Sequence, residues 1–125
     1  MAAFLILAVG RDPMVLSTRC SILKSVGYIV RSASSAAEAV DLFRSADFDL
    51  MLLCHSVPIA DRNQIVRAIR STGSRVPIYT VSSASGDFMA DRADGILPST
   101  PQDLLKGISA VSRASSQGRS PAAVD

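Results

Sequence analysis

Short apolar runs alternate with stretches of helical periodicity along most of this chain. Residues 4–9 form a continuous apolar run, which is typical of a strand buried on both faces. Between about residues 14 and 26, apolar side chains recur every three or four positions and predict one buried helical face: Leu16, Cys20, Leu23 and Val26. Gly27 is the expected C-terminal cap of this helix, and residues 28–31 are a short second strand.

The starts of the later helices carry capping residues. Ser35 and Glu38 form a capping box, in which the serine hydroxyl accepts from the third helical amide and the glutamate reaches back to the serine amide. Asp61 is expected to cap a third helix, which Gly73 closes. Thr100 is expected to cap the last helix, since a proline follows it at the first helical position.

Three more apolar runs predict strands, at residues 50–53, 77–81 and 95–97. Five strands that alternate with helices indicate βαβ units with right-handed crossovers. The predicted fold class is therefore α/β, a doubly wound parallel sheet of order 2-1-3-4-5. Only about a dozen residues separate the last two strands, and Gly86 with the polar Asp87, Asp91 and Arg92 favours helix poorly, so we expect the fourth helix, within residues 83–94, to be short or irregular.

Composition narrows the function classes. The chain has 125 residues, of which 48% are hydrophobic and 19% charged, as in one globular domain. A net charge of +2, scattered basic residues and no Trp argue against direct nucleic-acid binding. Two cysteines and one histidine lack zinc-site spacing, and no apolar run is long enough to span a bilayer. We expect a cytoplasmic domain over residues 1–112, followed by a disordered tail or linker stub at 113–125.

The segment 48–58, FDLMLLCHSVP, resembles the third strand of bacterial response-regulator receiver domains, with its proline at the family's spacing. The resemblance spans about residues 4–112. It implies that Cys54 stands at the position of the phosphoacceptor aspartate. The family's acidic pair, which holds magnesium, falls on Gly10 and Arg11. Asp12 comes one residue late and is expected to cap the first helix instead.

The resemblance extends to the family's switch residues. The hydroxyl switch position falls on Ser82 and the aromatic switch position on Ile96. The conserved lysine of the family falls on Ser99, or on Thr100 if the following proline sets the register. These substitutions imply a degenerate site, because glycine offers no ligand, arginine repels a cation and a thiol suits magnesium poorly. We therefore expect no metal, no cofactor and no catalytic residue.

The leading interpretation is a phosphorylation-independent receiver domain that acts as a protein-interaction module in bacterial two-component signalling or transcriptional control. Its expected partner is a protein, such as a sensor kinase, an output domain or a regulator, and a homodimer remains an open alternative. A second interpretation is a ligand or redox sensor that uses the vacated pocket around Arg11, Cys54 and Ser82. An enzyme is not expected, since the sequence has no dinucleotide or phosphate loop and no nucleophile–base pair.

Two expectations concern single side chains. Arg11 could bind an anion near Ser82, but we favour its pairing with Asp12 or Asp61. Cys54→Asp is expected to be destabilising, because it would bury a carboxylate that has no partner.

Overall fold

Five parallel strands form one sheet in the order β2-β1-β3-β4-β5, as the sequence predicted. The structure is a computed structural model and describes residues 4–54, 57–82, 95–98 and 100–124. The strands are β1 (Leu5–Val9), β2 (Ile29–Ala33), β3 (Leu50–Cys54), β4 (Ile78–Ser82) and β5 (Gly95–Pro98). The helices of the described part are α1 (Pro13–Ser25), α2 (Ala36–Ser45), α3 (Ile59–Ser71) and α4 (Pro101–Val124).

The sheet separates two cores, because side chains alternate between its faces. On one face, α2 and α3 cover a cluster that includes Leu53 and Met51 of β3. On the other face, α1 and α4 cover a cluster that includes Leu52 and Cys54. Every residue of β3 is buried, so this strand is the centre of the fold.

Local capping fixes where the first two helices begin. The side chain of Asp12 accepts hydrogen bonds from the amides of Met14 and Val15, at 3.0 and 3.3 Å, so Asp12 caps α1 as predicted. The Glu38 amide donates to the Ser35 hydroxyl at 3.1 Å, which confirms half of the predicted capping box. The Glu38 carboxylate does not return to the Ser35 amide. It accepts instead from the amide of Ser34, at 2.8 Å.

The third helix begins earlier than predicted. Pro58, with φ −56° and ψ 147°, is the N-cap of α3, and Asp61 lies within its first turn. The prediction that Asp61 caps this helix is therefore wrong. Proline has no side-chain acceptor, and no side chain caps the first amides of this helix. Asp61 still favours the helix start through its charge near the positive end of the dipole. Gly27 and Gly73, at φ 102° and 88°, follow the ends of α1 and α3 as predicted.

The last helix is longer than the sequence suggested. Its backbone stays helical to Val124, past residue 113, where we expected a non-periodic tail. Apolar periodicity predicts whether a helix has a buried face, and it is absent after residue 112. It does not decide whether the backbone itself is helical. The division into a domain at 1–112 and a tail at 113–125 stays a prediction. Within the described ranges, no helix is both long and apolar enough to cross a membrane.

Candidate functional site

The site lies where β1 and β3 end side by side. Leu53 is paired with Val9, so Gly10 follows β1 directly beside Cys54 at the end of β3. Cys54 is only 1% exposed and faces the core beneath α1 and α4. A Cβ atom added at Gly10 would lie 3.2 Å from the Cys54 Sγ, which is closer than most real contacts. The space that a side chain at position 10 would need is therefore taken by Cys54.

Arg19 reaches this site from α1, and we did not predict its role from the sequence. Its Nη1 donates a hydrogen bond to the Cys54 Sγ at 2.7 Å. Arg19 is 6% exposed, so its charge is inside the fold. The helical spacing could have indicated that Arg19 is buried, because Arg19 follows Leu16 by three residues and precedes Leu23 by four. It thus occupies a core position of the apolar stripe.

Burial dominates the protonation of both thiols. Burial raises the pKa of Cys54 above its ordinary value of 9.0, the charge and hydrogen bond of Arg19 lower it, and Cys20 raises it slightly. The pKa of Cys20 is also raised, chiefly by burial. Both groups are therefore neutral thiols near pH 7. Because the thiolate is the reactive form, this environment argues against Cys54 as a redox sensor.

The side chain of Arg11 reaches Asp61 in the first turn of α3. Its Nη1 lies 3.3 Å from the Asp61 Oδ2, which confirms the pairing that we favoured over anion binding. The two side chains are 53% and 34% exposed, so the pair contributes little to stability. It does, however, link the loop after β1 to the start of α3.

The residues at the family's metal positions do not suit magnesium. Gly10 has no side-chain ligand, Arg11 is a cation, and the sulfur of Cys54 is a soft atom that accepts from Arg19. The neighbouring carboxylate of Asp12 is engaged as the cap of α1. Within the described residues, no three His, Cys, Asp or Glu side chains are grouped so that they could hold a metal. No chemical step through magnesium follows from this arrangement.

The structure locates the backbone of the switch positions. Ser82 is the last residue of β4 and pairs with Pro98, while Ile96 in β5 pairs with Thr80. These two positions therefore lie at adjacent strands, as the resemblance implies, and their assignment as switch residues stays a prediction. Ser99, His55 and the predicted fourth helix within 83–94 lie outside the described residues. The alternative lysine position, Thr100, donates from its hydroxyl to the Asp103 carboxylate at 2.9 Å.

A doubly wound sheet of this order, with its candidate site at the carboxyl ends of β1 and β3, is a flavodoxin-like architecture that receiver domains share with other proteins. A family model described as the response regulator receiver domain matches residues 6–96. Since this match covers well over half of the chain, the chain belongs to the receiver-domain family of two-component signalling. Comparison with curated protein sequences gives no match.

Solved structures agree with this assignment. The chemotaxis protein CheY4 of Vibrio cholerae is 25% identical, with a TM-score of 0.76 over 88% of this chain and 99% of that one. A CheY-like receiver domain protein from Methanospirillum hungatei is 22% identical, with a TM-score of 0.78 over 94% and 99%. The signal receiver domain of an HD domain-containing protein from Pseudomonas fluorescens is 16% identical, with a TM-score of 0.80 over 96% and 94%. The latter two likenesses support the fold alone.

Proposed function

We propose that this receiver domain works without phosphorylation, as a protein-interaction module in bacterial two-component signalling or transcriptional control. The observation that carries the proposal is the end of β3, where the phosphoacceptor position holds the buried thiol of Cys54. That thiol is in contact with Arg19 and crowds the space that a Cβ atom at Gly10 would occupy. The site is thus filled by its own residues.

Three features support the absence of phosphoryl transfer. A thiol cannot form the acyl phosphate that a carboxylate forms, and burial keeps this thiol neutral. The acidic pair is replaced by Gly10 and Arg11, and Arg11 is paired with Asp61. Without a bound divalent cation, the charge of an incoming phosphoryl group has no metal to balance it. The proposal therefore includes no catalytic activity and no metal.

The proposed partner is a protein. Receiver domains act by contact with kinases, output domains or other regulators, and one similar receiver belongs to an HD domain-containing protein. A domain without a phosphorylation switch must be controlled by binding, abundance or a fused domain. The proposal places this contact in the cytoplasm and leaves the identity of the partner, and homodimer formation, to experiment.

Phosphorylation with acetyl phosphate and magnesium tests the proposal. The protein is incubated with both, reduced with borohydride to trap any aspartyl phosphate, and analysed by peptide mass spectrometry beside an active receiver domain as the positive control. We expect no trapped adduct and no change in oligomeric state. A trapped aspartyl phosphate anywhere on this chain would overturn the proposal.

Cys54→Asp is the matched variant for this assay. It restores the carboxylate but not the acidic pair, so we still expect little phosphorylation. Efficient phosphorylation of the variant, with none in the parent protein, would mean that the loss of chemistry rests on Cys54 alone and that Gly10 and Arg11 are not limiting.

A further inference from the structure

Arg19 is a charged side chain in a place where charge is rarely tolerated. Arginine is almost never fully buried unless it is paired, because removing a cation from water costs several kcal/mol. Arg19 is 6% exposed and lies within the stripe of α1 that packs on the sheet. The salt bridge found among the described residues joins Arg11 to Asp61, so no described carboxylate pairs with Arg19.

The guanidinium points at one atom. Its Nη1 is 2.7 Å from the Cys54 Sγ, across 35 residues of sequence. Among the described residues, the charged or titratable groups that act on Cys54 are Arg19 and Cys20, both from α1. The buried hydrophobic residues that β4, β5 and α4 contribute to this core are Val81, Leu97, Leu104 and Ile108, and Tyr79 of β4 packs against it. The environment of position 54 therefore contains one fixed positive charge and no fixed negative charge among its described neighbours.

We propose that Arg19 is an internal cation that replaces the metal ion at the end of β3 and makes position 54 a site for one negative charge. Arg19 is a positioning residue in this scheme: it ties α1 to the end of β3 and holds the side chain at position 54. The inference rests on the proposed function only in taking Cys54 as the phosphoacceptor position. Cys54 itself is a neutral thiol, so the negative charge is one that a carboxylate at position 54 would bring, and one guanidinium balances it.

This inference reverses an expectation from the sequence. Cys54→Asp appeared destabilising because the new carboxylate would lack a partner. The structure supplies Arg19 as that partner, and an opposite charge at hydrogen-bond distance favours the ionised carboxylate. We therefore expect Cys54→Asp to be tolerated when residue 19 is arginine and to be severely destabilising when residue 19 is apolar.

A double-mutant cycle tests this dependence. The parent protein, Arg19→Met, Cys54→Asp and the double variant are unfolded in urea, and the folding equilibrium constant of each is measured. We expect Cys54→Asp to lower this constant less than about tenfold in the parent and more than about a hundredfold beside Arg19→Met. Arg19→Lys keeps the charge and should recover part of the tolerance. An equal effect of Cys54→Asp in both backgrounds would overturn the inference.

Ionisation of Cys54 gives a readout that a packing role would not move. In a Cys20→Ser background, the ultraviolet absorbance of the thiolate is followed during a pH titration. Arg19→Met should shift the Cys54 titration to higher pH, because Arg19 lowers the Cys54 pKa. The titration is followed over the pH range in which circular dichroism shows both proteins folded, and an unchanged titration there would contradict the inference.

The two proposals fail separately. An aspartyl phosphate on the parent chain would overturn the proposed function and leave the coupling between residues 19 and 54 unaffected. Loss of that coupling would overturn the role of Arg19 while the absence of phosphorylation still stood.

Discussion

Gly10→Ala tests whether the Cys54 sulfur excludes a larger residue from the position that follows β1. The added Cβ would lie 3.2 Å from the Cys54 Sγ, 3.4 Å from the Cys54 Cβ and 3.4 Å from a Leu16 methyl group. Insertion of a methyl group into such a space costs about 1–3 kcal/mol. Gly10 is not among the described glycines with positive φ, so alanine also gains about 0.4–1 kcal/mol by restricting the unfolded chain.

We therefore expect Gly10→Ala to lower the free energy of unfolding by about 1–2 kcal/mol. For a chain of this size, the melting temperature should fall by roughly 3–8 °C. Urea unfolding and thermal unfolding followed by circular dichroism measure both quantities. Cys54→Ser provides the matched background, because the shorter bond to oxygen withdraws the crowding atom and keeps a hydrogen-bond acceptor for Arg19.

The result that refutes this reasoning is specific. If Gly10→Ala is neutral or stabilising in the parent protein, the contact with Cys54 is not tight. If its effect is the same in the Cys54→Ser background, the crowding comes from another atom. A smaller effect beside Cys54→Ser would show that the Cys54 sulfur is the atom that crowds position 10.

Two further predictions concern pH and the packing of α4. The pKa values of Cys54 and Cys20 are raised in the folded state, so the folded protein retains its thiol protons where the unfolded chain releases them. This contribution to the free energy of unfolding is complete below about pH 9 and is lost as the pH rises further. Removal of both thiols (Cys20→Ser with Cys54→Ser) should flatten the decline, which urea unfolding at several pH values measures. An unchanged dependence on pH would contradict the assignment of the decline to the two thiols. Gly107→Ala should gain about 1 kcal/mol from helix propensity, but its Cβ would lie 2.6 Å from the Leu97 Cδ2, so we expect no net gain. In a Leu97→Ala background, Gly107→Ala should raise the free energy of unfolding. If Gly107→Ala raises it in the parent protein as well, the Leu97 side chain moves aside without cost.

Local patterns were sufficient for the elements of the fold. The apolar runs and helical stripes gave the strand order, because parallel βαβ units have few allowed connections. Asp12 and Ser35 were predicted as caps because capping depends on residues only three positions apart. The capping errors were also local: Pro58 took the cap position expected for Asp61, and Glu38 accepted from Ser34, one residue before the expected amide.

The site shows the limit of sequence reasoning. The resemblance placed Cys54, Gly10 and Arg11 in a common site, and the register of β1 with β3 agrees with that placement. The sequence left the partner of Arg11 open between Asp12 and Asp61. Arg11 pairs with Asp61 because α3 begins close to it and because the Asp12 carboxylate already accepts from the amides of α1. Both conditions are set by the path of the folded backbone.

What the sequence determined by itself was therefore the alternation of elements and the order of the strands in the sheet. Only the tertiary structure decided that Arg19 lies inside the fold rather than extending to solvent. A long basic side chain on a helix can follow either course, and the outcome depends on what the sheet places opposite it. Here the opposite atom is the Cys54 sulfur, brought to Arg19 by the packing of α1 on β3 across 35 residues of chain.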